Sequence, residues 1–493
     1  MKHRFRKFDF PHASPESEGI PSGAINAYLD RIKELGIGIQ GFILMRRGNI
    51  VSEMAASPYK ITDRRHVYSI SKSWCGAAIG IARDEGLLSL YDKVISFFPD
   101  KLPETVSENL SLMTVADLLS MSSGHETDST GACLNSPDGD WVKTYLAYEV
   151  KYRPGTHWCY DSANQYMLCA IIERVAGVSA LEYLRPRLLN PLGIRCEDVK
   201  TDSGIERGVE WDRCPRGICE GGWGIHVSPI DMLKLGSVYL NDGMFNGKRI
   251  FSRDWARRAS AYQTENSGTA DWSQGYGYTL WRCQHQCFRG DGAFGQLMVV
   301  LPEQEAVWIQ TAEDNRFQDA MDAFWELIYP HFNRSALPED EAALSELRKT
   351  EQSFEFQTAL CGGEEKDFDG ELKVKELLDV EKIMVKTEGK KAMLCFLLPD
   401  GARTIWAVNG GWRRGIIEDF PSALYEWMLR PESRRRAEAA ATFKWEGNRL
   451  CFKIQFIDSP HGQNYVFDFD EKIMNISGQT IPDGKVGMAD VMS

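Results

Sequence analysis

Apolar residues recur at intervals of three and four through AINAYLDRIKEL (24–35), which predicts an amphipathic helix. The period then changes. GFILMRRGNIVSEM (41–54) carries two apolar runs around Arg47–Gly48–Asn49, the pattern of a β-hairpin. Helical spacing returns in SKSWCGAAIGIARDEGLLSL (71–90), where Gly76, Ala77, Ala78 and Gly80 suit close packing in a core. It recurs in MTVADLLSMSSGH (113–125), with Thr114 as N-cap and Gly124 as stop. QYMLCAIIERVAG (165–177) and SPIDMLKLGSVYLNDG (228–243) follow, the second with Pro229 at its first helical position. Residues 294–312 predict two strands joined by a turn at Pro302–Glu303, and NRFQDAMDAFWELIYPHF (315–332) predicts a closing helix.

The order is hairpin, helices, hairpin, helix. It predicts an antiparallel sheet built from both ends of residues 1–335, flanked by helices, with a helical insertion between the two halves. The stretch RSALPEDEAALSELRKTEQ is charged and poor in aromatics, and residues 336–352 are read as a linker. From 353 to 493, short β-rich runs such as KAMLCFLLPDG and ATFKWEGNRLCFKIQFID alternate with Gly, Asp and Asn turns. They predict a second, smaller all-β antiparallel domain, possible as a barrel. A chain of 493 residues is also too long for one ordinary core.

Charge narrows the partners. The net charge of −13 argues against nucleic acid, which needs clustered Lys and Arg. The one basic run, RPESRRR (430–436), has acidic neighbours and is read as a solvated helix face. No apolar run is long enough to span a membrane, and no apolar segment backs the basic N-terminus, so no membrane partner and a cytoplasmic location are expected. Twelve scattered cysteines read as reduced and buried. Cys214–Cys219, and Cys283–Cys287 around His285, do not have knuckle spacing, so neither a metal nor a cofactor is expected.

The chemistry starts at YSISKSW (68–74). With Ser69 in the first turn of the following helix, Ser69 and Lys72 share a face, whereas Ser71 and Ser73 do not. A lysine whose pKa is lowered by burial or a nearby positive charge can take the proton of a serine hydroxyl. S-x-x-K is common by chance, so its context matters. YSISKS preceded by SPYKITDRRHV and followed by MTVADLLSMSSG resembles the serine β-lactamase-related hydrolases, a family of class C β-lactamases, penicillin-binding carboxypeptidases, D-aminopeptidases and carboxylesterases. RPGTHWCYDSANQYMLCAIIERVAG (153–177), LRPRLLNPLGI (184–194) and GGWGIHVSPIDMLKLGSVYLNDG (221–243) match family blocks in order, within residues 15–332.

The resemblance implies the family's α/β (α+β) fold and a serine acyl-enzyme. Ser69 becomes the nucleophile, and Lys72 and Tyr160 the proton-transfer groups. Tyr160–Asp161–Ser162 stands in the place of the family's Tyr-x-Asn, with Ser162 replacing the Asn and Asn164 open as a compensating amide. Gly290–Asp291–Gly292 stands where Lys-Thr-Gly would be, and Ala293 would donate an oxyanion-hole N–H together with Ser69. The third-motif lysine is absent. Arg289 is one candidate replacement; the alternative is that Asp291 favours a cationic or neutral substrate. GDGAFG (290–295) also satisfies G-x-G-x-x-G, but a strand-like run follows it where a dinucleotide site needs a helix. The expectation is an esterase or a small amide or peptide hydrolase, acting on a small-molecule ester, amide or short peptide, rather than a β-lactamase. The competing reading is a non-catalytic binding protein with a degraded site.

Overall fold

A computed structural model describes residues 8–201, 204–356, 358–373, 380–421, 434–478 and 484–487. The chain divides into two units, residues 1–54 with 66–353, and residues 55–65 with 354–493.

In the first unit, α1 (Ser22–Glu34) buries Ile25, Tyr28, Leu29 and Ile32, the three-and-four spacing of its sequence. The hairpin forms as β1 (Ile39–Arg46) and β2 (Asn49–Ala55). Four later strands complete the sheet: β3 (Trp281–Arg282), β4 (Phe288–Gly292), β5 (Gln296–Leu301) and β6 (Ala306–Ala312). Their spatial order is β3-β4-β5-β6-β1-β2. The two ends of the unit meet where β1 pairs antiparallel with β6, Ile43 opposite Ile309. Every residue of β1, β5 and β6 is buried, as expected of central strands covered on both faces. Between the halves lies the helical insertion, including α2 (Ser71–Asp84), α3 (Ser162–Ala176) and α4 (Pro229–Leu240). α2 is buried on all sides from Ser71 to Ala82, so its start is held by core packing. α5 (Phe317–Leu327) follows the sheet and stacks Phe324 on Trp308 of β6.

The stretch read as a linker holds a further helix, α6 (Glu341–Ser353), within the first unit. Its Ala, Leu, Glu, Lys and Arg are strong helix formers despite the scarcity of aromatics. Leu347 is its apolar anchor, and Glu351 accepts a 2.6 Å bond from Ser52.

Among the described residues, the second unit is an all-β sheet of mainly antiparallel strands, in which Val408 and Thr442 pair in parallel. Along β7 (Lys382–Glu388), alternate residues Ile383, Val385 and Thr387 are buried, the period of a strand with one covered face. Residues 55–65 belong to this unit: Tyr59 donates to Gln455 at 3.1 Å and Arg414 pairs with Asp63 at 2.8 Å. The basic run departs from its expected helix. Residues 430–433 lie outside the described residues, and the remaining arginines open strand β8 (Arg434–Glu446). Ala437, Ala439 and Ala441 alternate into its core, a period of two that holds this segment as a strand.

Among the described residues no cluster of His, Cys, Asp and Glu is arranged to hold a metal ion, and no helix is long and apolar enough to cross a membrane. The Cys283–Cys287 stretch closes the β3–β4 connection through a 2.9 Å backbone bond, and the His285 ring stacks on Tyr329.

Candidate active site

The three serines of YSISKSW have different surroundings. A 3-10 turn, Tyr68–Ile70, precedes α2 and leaves Ser69 partly exposed. Ser71 is buried, its hydroxyl donating to the Tyr68 carbonyl at 2.6 Å and accepting from the Ile225 N–H at 3.1 Å. Ser73 is buried against β4, where a Cβ on Gly290 would lie 2.4 Å from its oxygen. Of the three, only Ser69 combines partial exposure with a lysine at hydrogen-bonding distance.

That lysine is one turn on. Lys72 Nζ lies 2.8 Å from Ser69 Oγ, 3.0 Å from Ser162 Oγ and 2.7 Å from the Gly222 carbonyl. Its partners are neutral and it is only 2% exposed. Burial therefore pushes its pKa from 10.5 down to about 7, against the opposing pull of Asp128, Asp291 and Asp161. The Gly222 carbonyl reaches Lys72 because its loop lies tight on the start of α3: a Cβ there would stand 2.5 Å from the Ser162 carbonyl oxygen.

Tyr160 approaches from the segment before α3. Its ring centroid is 4.7 Å from Lys72 Nζ, and the Ser69 hydroxyl is close enough to act on its phenol. Burial first, and then the Asp291 carboxylate, raise its pKa well above the ordinary tyrosine value, so the phenol keeps its proton. Asp161 caps α3, accepting from Ala163 N at 2.9 Å, from Ser129 at 2.8 Å and pairing with His125 Nδ1 at 2.7 Å. Ser162, the first residue of α3, points its hydroxyl at Lys72. Asn164 takes no part in this contact, since Tyr145 donates to its Oδ1 at 2.6 Å, deep in the core.

The strand opposite is β4, and its period of two sorts the third motif. Gly290 and Gly292 face the start of α2; a Cβ on Gly292 would lie 2.2 Å from the Val67 carbonyl and 3.2 Å from the Ser69 nitrogen. The end of β4 thus runs beside the Ser69 backbone, with Ala293 next in the chain. Arg289 and Asp291 share the other face. Arg289 Nε and Nη2 both lie 3.0 Å from Asp291 Oδ2, and the guanidinium also reaches the Asp271 and Arg282 carbonyls. Arg289 has no exposed surface and packs 4.2 Å from the Trp272 ring centroid. It is no stand-in for a substrate-facing lysine.

The Beta-lactamase family model matches residues 30–327. The chain belongs to this family. It is an enzyme of the β-lactamase-related serine hydrolase group. A relative is the 6-aminohexanoate-dimer hydrolase of Paenarthrobacter ureafaciens, 24% identical over 322 residues, 60% of this chain and 79% of the relative. Among solved structures, the octameric penicillin-binding protein homologue from Pyrococcus abyssi is 17% identical with a TM-score of 0.50, covering 87% of this chain and 97% of that one. EstCE1, a hydrolase with promiscuous acyltransferase activity, is 16% identical with a TM-score of 0.50, covering 62% and 98%. These two structural likenesses speak for the fold.

Against the family pattern, two features of this β-lactamase relative escape a reading of motifs. The Gly222 carbonyl is a lysine partner that only the folded loop brings in. The buried His125–Asp161 contact joins residues 36 apart in the chain; His125 follows the SSG of a family block, but its partner is not marked by sequence.

Proposed function

We propose that the chain cleaves a small ester, amide or short peptide through an acyl-enzyme on Ser69. Neutral Lys72 takes the Ser69 proton as Oγ bonds to the substrate carbonyl carbon. The backbone N–H groups of Ser69 and Ala293 hold the tetrahedral oxyanion. Tyr160 donates its proton to the leaving oxygen or nitrogen as that bond breaks, and the Lys72 ammonium returns a proton to Tyr160. Water then attacks the acyl carbon, its proton passing back through the same pair to Ser69. Ser162 and the Gly222 carbonyl hold Lys72 in line, while Gly290 and Gly292 let β4 approach.

One observation carries this reading: a buried lysine, its pKa pushed down to about 7, lies 2.8 Å from a reachable serine hydroxyl. The hydrolase names among the relatives and the absent third-motif lysine favour ester or amide cleavage over β-lactam hydrolysis. The test is covalent labelling by a neutral fluorophosphonate. Wild type and Ser71→Ala should label, and Ser69→Ala should not. A folded wild type that stays unlabelled overturns the proposal and leaves a binding role.

A further inference from the structure

In place of the family's third-motif lysine, the structure puts a carboxylate next to the reacting groups. The Asp291 carboxylate favours the protonated forms of both Lys72 and Tyr160. It is 8% exposed, whereas the guanidinium that balances it has no exposed surface. Arg289 engages Oδ2 alone through its two nitrogens. A carboxylate offers about four acceptor sites, so Asp291 keeps acceptor capacity beyond its ion pair. Of this pair only the carboxylate keeps any exposed surface, so a ligand can meet the acid but not its cation.

Beyond the Arg289 guanidinium, which also acts on Tyr160, the other charges around Lys72 and Tyr160 are acids. Asp128, an exposed residue of the insertion, also acts on Lys72 and on Tyr160. The three carboxylates that act on Lys72 most strongly are Asp128, Asp291 and Asp161. Aromatic faces complete the wall. Trp281 stacks on Tyr160 at 5.3 Å, and Trp158 sets its edge to Trp281 at 5.8 Å. Trp158 and Tyr160 are both partly exposed. Aromatic faces beside carboxylates attract cations and give nothing to an anion.

We infer that this site selects substrates with a protonated amine close to the scissile carbonyl, and that Asp291 is the residue that holds the amine. The inference rests on Ser69 being the nucleophile. It gives the absent lysine a positive meaning: the site has exchanged recognition of a substrate carboxylate for recognition of an ammonium group.

The test compares labelling rates of the whole protein by two fluorophosphonates of equal length, one ending in an ammonium group and one in a carboxylate. Wild type should react with the cationic probe roughly tenfold faster or more, a difference of one decade in the rate-determining interaction. Asp291→Asn should bring the ratio most of the way to one, and Asp128→Asn should lower it less. Because Asp291→Asn strands Arg289, the paired Arg289→Met/Asp291→Asn variant is measured beside it and should lose the preference equally. A wild-type ratio near one, a preference for the anionic probe, or a cationic preference that survives in both Asp291 variants overturns the assignment. Failure of both probes, and of a neutral one, on folded wild type overturns the nucleophile itself, a different result from charge-blind labelling.

Discussion

Two cations are buried on either side of the candidate site, and they behave in opposite ways. Lys72 is 2% exposed and Arg289 not at all. Lys72 is met by two hydroxyls and a carbonyl, and burial pushes it down to about 7. Arg289 suffers the same burial, yet Cys283 and Asp291 facing it outweigh that effect and raise its pKa above the ordinary arginine value. Burial alone therefore does not decide whether a buried base keeps its proton; the partner does. Neutral acceptors turn Lys72 into a group that can exchange a proton near neutrality. A carboxylate turns Arg289 into a fixed strut beneath Asp291.

The sharpest way to break this comparison is to remove each cation and measure both chemistry and stability. Lys72→Met keeps a similar length and removes the proposed base. Labelling of Ser69 by a neutral fluorophosphonate should slow by about 10²- to 10⁴-fold, the usual contribution of a general base. The melting temperature should change little, since the three hydrogen bonds lost are offset by taking a buried polar group out of the core. Wild-type labelling rates in Lys72→Met would remove Lys72 from the chemistry.

Arg289→Met should lower stability. It leaves the Asp291 carboxylate buried without its partner, and breaking such a pair costs about 3–5 kcal/mol. The first unit should unfold at a clearly lower urea concentration, and Arg289→Met/Asp291→Leu should recover most of the loss. A single variant as stable as wild type would show that the pair is not the strut described.

How much of this was open to a reader of the sequence depends on the range of each contact. Ser69 and Lys72 were legible because three residues of helical turn bring them together locally. The hairpin and helices of the first unit were legible from period, and so was the meeting of its two ends. The pairing of Arg289 with Asp291 was within reach too, since residues two apart on a strand share a face. Reading Arg289 only as a lysine substitute passed over it. Asn164 was also decidable: two residues beyond Ser162 is about 200° around a helix, away from Lys72. The Gly222 carbonyl was out of reach, because it meets Lys72 across 150 residues through a loop closure. Residues 55–65 are a similar case. They lie between segments of the first unit in sequence, and only contacts such as Tyr59 with Gln455 assign them to the second. Helix α6 was hidden by its composition, whose polar residues suit a helix as readily as a linker.

The finest test asks whether the Lys72 pKa responds to the opposite side of the site. As a base Lys72 must be neutral, so the labelling rate should rise with pH through about 7 and level off above it. Linkage runs in the same sense: the unfolded lysine, near 10.5, binds its proton more tightly than the folded one. This group's contribution to stability therefore falls as pH drops from about 10.5 to 7, and is flat below. Asp291 and Asp128 both favour the ammonium form, so removing either charge makes protonation harder. Asp291→Asn and Asp128→Asn should each move the rise in labelling to lower pH, by a fraction of a unit, since one full unit would need about 1.36 kcal/mol. The measurement is the pH profile of labelling by the neutral probe, on which substrate charge has no influence. A midpoint that stays near 10 in wild type would mean that Lys72 is not desolvated. A midpoint that moves upward in either variant would mean that these carboxylates do not act on it as its surroundings require.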